Sequence, residues 1–259
     1  MSVPLFDSLA DIASRVGAAP HVMLCCDFDG TLAPLAEDPG AVGLADDVRA
    51  SLAGLADTGR VTVVIISGRS ASDLRDRIPV AGLIAAGNHG LEIAGPGFEH
   101  VDPEVARAAP VVSNLAESLA KPMHEFPGAV VEDKGLSVSV HYRRVAPELH
   151  CAVRCAVHMV LAGLSHPFVL TNGRLAYNIR PRVYWDKASA VRWIAGRVGR
   201  PDALVIYVGG DTSDEEAFAA LPDGITIRVT PGPETAAKYQ VAGPDDVCWL
   251  LAWLRGQVR

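Results

Sequence analysis

At 259 residues, 49% of them hydrophobic, the chain carries enough apolar material for a substantial core, as one large domain or a core with a smaller insert. A formal net charge of −7 excludes general nucleic-acid binding, which needs a basic surface. Any phosphate must therefore meet positive charge placed locally, so the Lys and Arg residues inside motifs matter most.

The opening stretch MSVPLFDSLADIASRVG lacks a basic start and a long apolar run, and reads as a short amphipathic helix rather than a signal peptide. Four short apolar runs then mark strands buried on both faces: HVMLCC (21–26), VTVVII (61–66), GLIAA (82–86) and ALVIYV (203–208). Between the first two, residues 46–59 carry Val48, Leu52 and Leu55 at helical spacing and close on a Gly. Strand, helix, strand at this spacing predicts a parallel sheet with right-handed crossovers.

The middle of the chain changes character. A helix near 103–122 precedes an alternating segment, 128–144, that turns at Lys134-Gly135 as a hairpin. An amphipathic helix over 147–164 follows, then a second hairpin over 168–181 with its turn placed at Asn172-Gly173. A helix over 185–199 returns to the core pattern. The expectation is an α/β chain: a parallel-sheet core from 1–98 and 182–259, interrupted by an antiparallel α+β cap domain over 99–181. No run reaches the length of a membrane span. Of the five cysteines, Cys25 and Cys26 read as small buried hydrophobes, and Cys151 and Cys155 lie one helical turn apart without a Cys-x-x-Cys partner. An odd count without a framework points to a reducing compartment, so a cytoplasmic protein is expected.

The chemistry concentrates at strand ends. CCDFDGTLAP (25–34) places two carboxylates, Asp27 and Asp29, at the end of a buried strand, where their charge needs an offset. A divalent cation supplies one, Gly30 permits a sharp turn, and Thr31 offers a hydroxyl to phosphate. Read alone, Asp-x-Asp is equally an Asp-rich turn. With the Gly-Thr-Leu that follows it, this segment resembles the haloacid dehalogenase superfamily of phosphotransferases, which implies a Rossmann-like core. The remaining pieces fall in that superfamily's order: Ser67 in IISGRS as phosphate ligand, Lys187 at the start of a helix, and VGGDTSDEE (208–216) as the terminal acidic motif.

Within the superfamily the chain resembles the trehalose-6-phosphate phosphatases through DFDGTLAPLAEDP (27–39), SGRS (67–70), GNHGLE (87–92), VEDKGLSVSVHYR (131–143), IRPRVYWDKASA (179–190) and the tail at 235–254. The resemblance implies a magnesium-dependent phosphatase in which Asp27 is the nucleophile and Asp29 the general acid and base. It implies a phosphate held by Thr31, Ser67 and Lys187. Magnesium would be held by Asp27, the main-chain carbonyl of Asp29 and Asp211, with Asp214 the other candidate. His89, Glu132, Lys134, Arg143, Asn178 and Arg180 are the candidates for sugar contacts. The implied partner is a small sugar phosphate, with neither nucleic acid nor membrane, and a monomer is expected.

Two positions depart from the family pattern. Gly210 stands where the family has the first Asp of Gly-Asp-Asp, and Asn178 where it has a Glu before the Arg-Pro pair. Asn178 keeps open another sugar phosphate, of glycosylglycerate or sucrose type. Gly210 keeps open a non-catalytic sugar-phosphate-binding protein.

Overall fold

The computed structural model describes residues 2–35, 42–165, 167–173, 175–232 and 234–258. In chain order the first elements are β1 (Val3–Pro4), α1 (Leu9–Ala18), β2 (Val22–Cys26), α2 (Asp46–Ala56), β3 (Val61–Ile66), α3 (Ala71–Arg77), β4 (Ile84–Gly87), β5 (Glu92–Gly95) and β6 (Phe98–Val101). Next come α4 (Pro103–Met123), β7 (Val130–Asp133), β8 (Val138–His141), α5 (His150–Ala162), β9 (Phe168–Gly173) and β10 (Ala176–Pro181). The chain closes with α6 (Lys187–Arg197), β11 (Leu204–Gly209), α7 (Thr212–Ala220), β12 (Ile225–Val229), β13 (Tyr239–Val241) and α8 (Pro244–Gln257). Two compact units result: residues up to His100 together with those from Trp185, and the insert Val101–Tyr184.

The first unit is built on one sheet in the order β1-β13-β12-β11-β2-β3-β4-β5-β6. Pairing is parallel from β1 through β4, and β5 returns antiparallel to β4. The central strands are apolar throughout because they are covered on both faces. Leu24 and Cys26 of β2 pack with α1, α2 and α8 residues such as Ile12, Leu52 and Leu250. Met23 and Cys25, pointing the other way, join Val191 and Ile194 of α6 and Phe218 of α7. All five cysteines are free thiols.

The insert carries its own core. A four-stranded antiparallel sheet, β7-β8-β10-β9, lays Val138, Val140, Tyr177 and Ile179 against Val112, Leu115 and Leu119 of α4 and Val153 and Val157 of α5. The first hairpin turns over 134–137, with Gly135 at φ +78°, as its sequence predicts. The second turns two residues later than expected. Gly173 pairs with Ala176 and Asn172 with Tyr177, so the ladder runs through the Asn-Gly pair rather than stopping at it. Among the described residues, no helix is long and apolar enough to cross a membrane.

Candidate active site

The C-terminal ends of β2, β3 and β11 converge, and open parallel sheets bind ligands at such strand ends. Asp27 directly follows β2, and its N–H donates to the carbonyl of Val208 on β11 at 2.9 Å. The Lys187 ammonium lies 3.4 Å from Asp27 Oδ1, and the Thr31 hydroxyl donates to Asp27 Oδ2 at the same distance. Ser67, buried at the end of β3, accepts at its Oγ from the N–H of Arg69. The Ser67 carbonyl accepts from the N–H of His89 at 2.8 Å. His89 is itself buried in the left-handed region, φ +61°, with its ring against Gly68, where a Cβ would come within 2.8 Å of it. Asp27, Thr31, Ser67, His89 and Lys187 therefore share one end of the sheet. The Asp38-Pro39 end of the opening motif lies outside the described residues.

Local sequence explains how Lys187 is delivered. Asp186 caps α6 by accepting from the N–H and hydroxyl of Ser189, and the Trp185 indole N–H donates to the carbonyl of Gly90 at 2.6 Å. A cation in the first turn of a helix opposes the helix dipole, so it needs nearby anions. They are present: Lys187 donates to Asp214 Oδ1 at 2.6 Å, closer than to Asp27. Tyr207, buried on β11, donates its hydroxyl to the same Asp214 oxygen at 2.9 Å, and the N–H of Asp211 donates to Asp214 Oδ2. Sequence reasoning passed over Tyr207, because an aromatic inside an apolar strand run reads as core.

The charges are strongly coupled. Burial pushes the Asp27 carboxyl well above the usual carboxylate range. Lys187 opposes that shift, while Asp214, Asp211 and Asp29 reinforce it. Burial works against the Lys187 ammonium, yet Asp214 first, then Asp27 and Asp211, hold it above the ordinary lysine value. Burial also raises the Tyr207 phenol, and Asp214 beside it adds to the effect.

The Asp29 side chain is 33% exposed and held by Arg69 through two 2.7 Å bonds, Nε to Oδ2 and Nη2 to Oδ1.

For the implied magnesium, charge and ligand number pull in different directions. The carboxylates of Asp27, Asp29, Asp211 and Asp214 outnumber the two cations beside them, Lys187 and Arg69, and this oxygen-only set suits a hard divalent ion. A divalent cation fits that charge pattern. The side-chain ligands are few, however: among the described residues no group of three or more His, Cys, Asp or Glu is arranged to hold a metal. Gly210 has no side chain to offer, and a Cβ there would meet the carbonyl of Val229 at 2.7 Å. Asp214 is committed to Lys187, Tyr207 and the N–H of Asp211. Asp211 caps α7 through the N–H of Thr212 and accepts from the Ser213 hydroxyl, which leaves it lone pairs for a further partner.

The other candidates lie in the insert and form a pattern of their own. Glu132, Ser139, Asn178 and Thr171 stand opposite one another in register across β7, β8, β10 and β9, on the sheet face away from α4 and α5. Arg180 shares that face two residues along β10. Ser139 donates to Asn178 Oδ1 at 2.8 Å, His141 Nε2 lies 2.8 Å from Glu132 Oε2, and the Lys134 ammonium is 3.7 Å from the same oxygen. Arg143 falls in the turn after β8, off the strand. Ser139 and His141 were not anticipated; both lie within the quoted hairpin segment, two and four residues beyond its Ser137.

A doubly covered parallel sheet with an acidic motif after its central strand and an antiparallel insert is the fold of haloacid dehalogenase-like hydrolases. A family model described as Trehalose-phosphatase matches residues 25–245, and the chain belongs to that family. It is 40% identical over 255 residues to an uncharacterized glycosyl hydrolase of Mycobacterium tuberculosis, covering 92% of this chain and 18% of that protein. It is 35% identical over 242 residues to a trehalose-phosphate phosphatase of Mycobacterium bovis, covering 90% of this chain and 61% of that one. The chain thus spans only part of the curated relatives it matches. Among solved structures, the C-terminal domain of Candida albicans trehalose-6-phosphate phosphatase superposes with a TM-score of 0.83 at 18% identity, over 99% of this chain and 98% of that one.

Proposed function

We propose that the chain hydrolyses a sugar phosphate, most simply trehalose 6-phosphate, through an aspartyl-phosphate on Asp27. The observation that carries this reading is the buried Asp27 carboxylate beside the Lys187 ammonium and the Thr31 hydroxyl at a strand end that also holds Ser67. An Asp27 oxygen attacks phosphorus as the bond to the sugar oxygen breaks, and Asp29 gives that oxygen its proton. Asp29 then takes a proton from water, which attacks the acyl phosphate at phosphorus, freeing phosphate and restoring the Asp27 carboxylate. Lys187 and Ser67 hold the phosphoryl oxygens as charge shifts among them, assisted by Thr31.

Magnesium, held by Asp27, the main-chain carbonyl of Asp29 and Asp211, would neutralise phosphoryl charge when bound. The polar face of the insert, with Glu132, Lys134, Asn178 and Arg180, is assigned to sugar hydroxyls, with His89 and Arg143 as further contacts. A reducing, cytoplasmic setting suits the five free thiols.

A second reading, sugar-phosphate binding without turnover, is favoured by Gly210 alone, because that position offers no ligand and no room for one. Phosphate release from a panel including trehalose 6-phosphate, sucrose 6-phosphate and a glycosylglycerate phosphate, with magnesium or a chelator, separates the readings. Magnesium-dependent release strongest on trehalose 6-phosphate is expected. Release from another sugar phosphate would overturn the substrate. Binding without release from any would leave the second reading.

A further inference from the structure

Arg69 belongs to the Ser-Gly-Arg-Ser run after β3 and has no part in the mechanism above. Its side chain is only 10% exposed, under an Asp29 side chain that is 33% exposed. The guanidinium fork meets the carboxylate with two parallel bonds of 2.7 Å, the short charge-assisted kind. Its remaining edge donates to Asp73 Oδ2 at 2.9 Å, and Asp73 also accepts from Arg77 Nε at 2.8 Å. Arg77 in turn donates to the carbonyl of Val42. The Phe28 ring lies against the Arg69 guanidinium, 5.3 Å from centroid to carbon. Arg69 is thus fixed on several sides, while Asp29 is fixed chiefly by Arg69.

We infer that Arg69 is a positioning residue that sets the plane of the Asp29 carboxylate and so decides which of its lone pairs exchange a proton with the leaving oxygen and with water. This rests on the phosphatase reading. A short Asp side chain one-third exposed would otherwise sample several rotamers, and proton transfer demands hydrogen-bond reach in one of them. The fork takes one lone pair of each carboxylate oxygen and leaves the other pair of each for the proton. Lysine keeps the charge but offers one compact donor in place of a planar pair, so it anchors the carboxylate without orienting it.

The test compares wild type, Arg69→Lys and Asp29→Asn on trehalose 6-phosphate, whose alkoxide leaving group needs a proton, and on 4-nitrophenyl phosphate, whose nitrophenolate does not. Orthophosphate inhibition is measured alongside. Arg69→Lys is expected to lower kcat/KM on the sugar phosphate on the order of 10²-fold. It should change kcat/KM on the aryl ester by less than about fivefold and leave orthophosphate inhibition unchanged, because misplacing a proton donor affects only the ester that needs one. Adding Arg69→Lys to Asp29→Asn should cost nothing further on the sugar phosphate, since the two residues act as one unit. Equal losses on both esters, additive losses in the double variant, or weakened orthophosphate inhibition would each overturn the inference and leave Arg69 a structural or phosphate-binding residue. No turnover of either ester by folded wild-type protein would remove the phosphatase reading, and this inference with it.

Discussion

The Lys187 ammonium is held more tightly by Asp214, at 2.6 Å, than by Asp27, at 3.4 Å. Asp214 is fully buried and fixed by Tyr207 and by the N–H of Asp211. Lys187 is therefore anchored from the terminal motif and extended toward the expected nucleophile, so the anchor and the reactive carboxylate are different residues.

Removing the cation from this arrangement leaves two buried carboxylates unpaired. Lys187→Met is expected to destabilise the fold by about 3–5 kcal/mol. Asp214→Asn should cost less, because the amide oxygen still accepts from Tyr207. Denaturant unfolding of the two variants checks the order, and a negligible cost for Asp214→Asn would mean Asp27 is the true anchor.

Gly209 is the second support of the same anchor. A Cβ there would press directly onto both Asp214 carboxylate oxygens, so Gly209→Ala must push Asp214 off Lys187. We expect a stability loss of about 1–3 kcal/mol from overpacking and a drop in kcat, read by unfolding and by phosphate release. A variant with wild-type stability and turnover would show that the carboxylate has room to move.

If Asp211 takes over as metal ligand at the position flanking Gly210, Mn2+ binding followed by electron paramagnetic resonance should weaken at least about tenfold in Asp211→Asn. The conservative Ser213→Ala, which removes only a hydroxyl donor to Asp211, should change it little. Unaltered binding in Asp211→Asn would exclude that residue from the site.

In the insert, Glu132→Ala is expected to raise KM for the sugar phosphate by about ten- to a hundredfold, the range for a hydrogen bond to a charged group, with kcat less affected. Steady-state kinetics on the full panel checks this. An unchanged KM would leave Glu132 a residue that only contacts His141 and Lys134 within its own hairpin.

Asp73 gives a pH signature. Burial would raise its carboxyl, but hydrogen bonds from Arg77 and Arg69 outweigh that and hold it below the ordinary value of 3.8. A depressed folded value means the stabilisation is present above about pH 4 and fades as pH falls toward the folded value. Asp73→Asn should cost roughly 1 kcal/mol at pH 7, a modest figure because the pair is partly exposed. It should also flatten the acid limb of a melting-temperature profile measured from pH 7 to pH 3.

Much of the core was legible because burial on both faces leaves an uninterrupted apolar run, as in Val61–Ile66, with Asp27 and Ser67 placed where such runs stop. β12 was passed over, since ITIRV is short and interrupted by Arg228, and β1 is two residues long with no pattern of its own. The second hairpin's turn was misplaced because Asn-Gly is the strongest local turn signal, and here strand pairing overrode it. Within the site, motif order led to Asp27, Ser67 and Lys187. Partnerships were hidden: Arg69 and Asp29 are 40 residues apart, and nothing in the run ALVIYV marks Tyr207 as the residue whose hydroxyl reaches Asp214.

β2 lies between β3, its near neighbour in the chain, and β11, which arrives only after the whole insert. A ribosome therefore releases the Asp27 strand long before the strand that completes its pairing exists. The insert closes its own ladders from neighbouring hairpins and can fold while the sheet around it waits. During synthesis, the exposed side of β2 is a vacant, strongly apolar edge of the kind that invites mispairing. Lys187 and Asp214 come from the late half as well, so the nascent chain carries the Asp27 carboxylate without the ammonium beside it until α6 has been made.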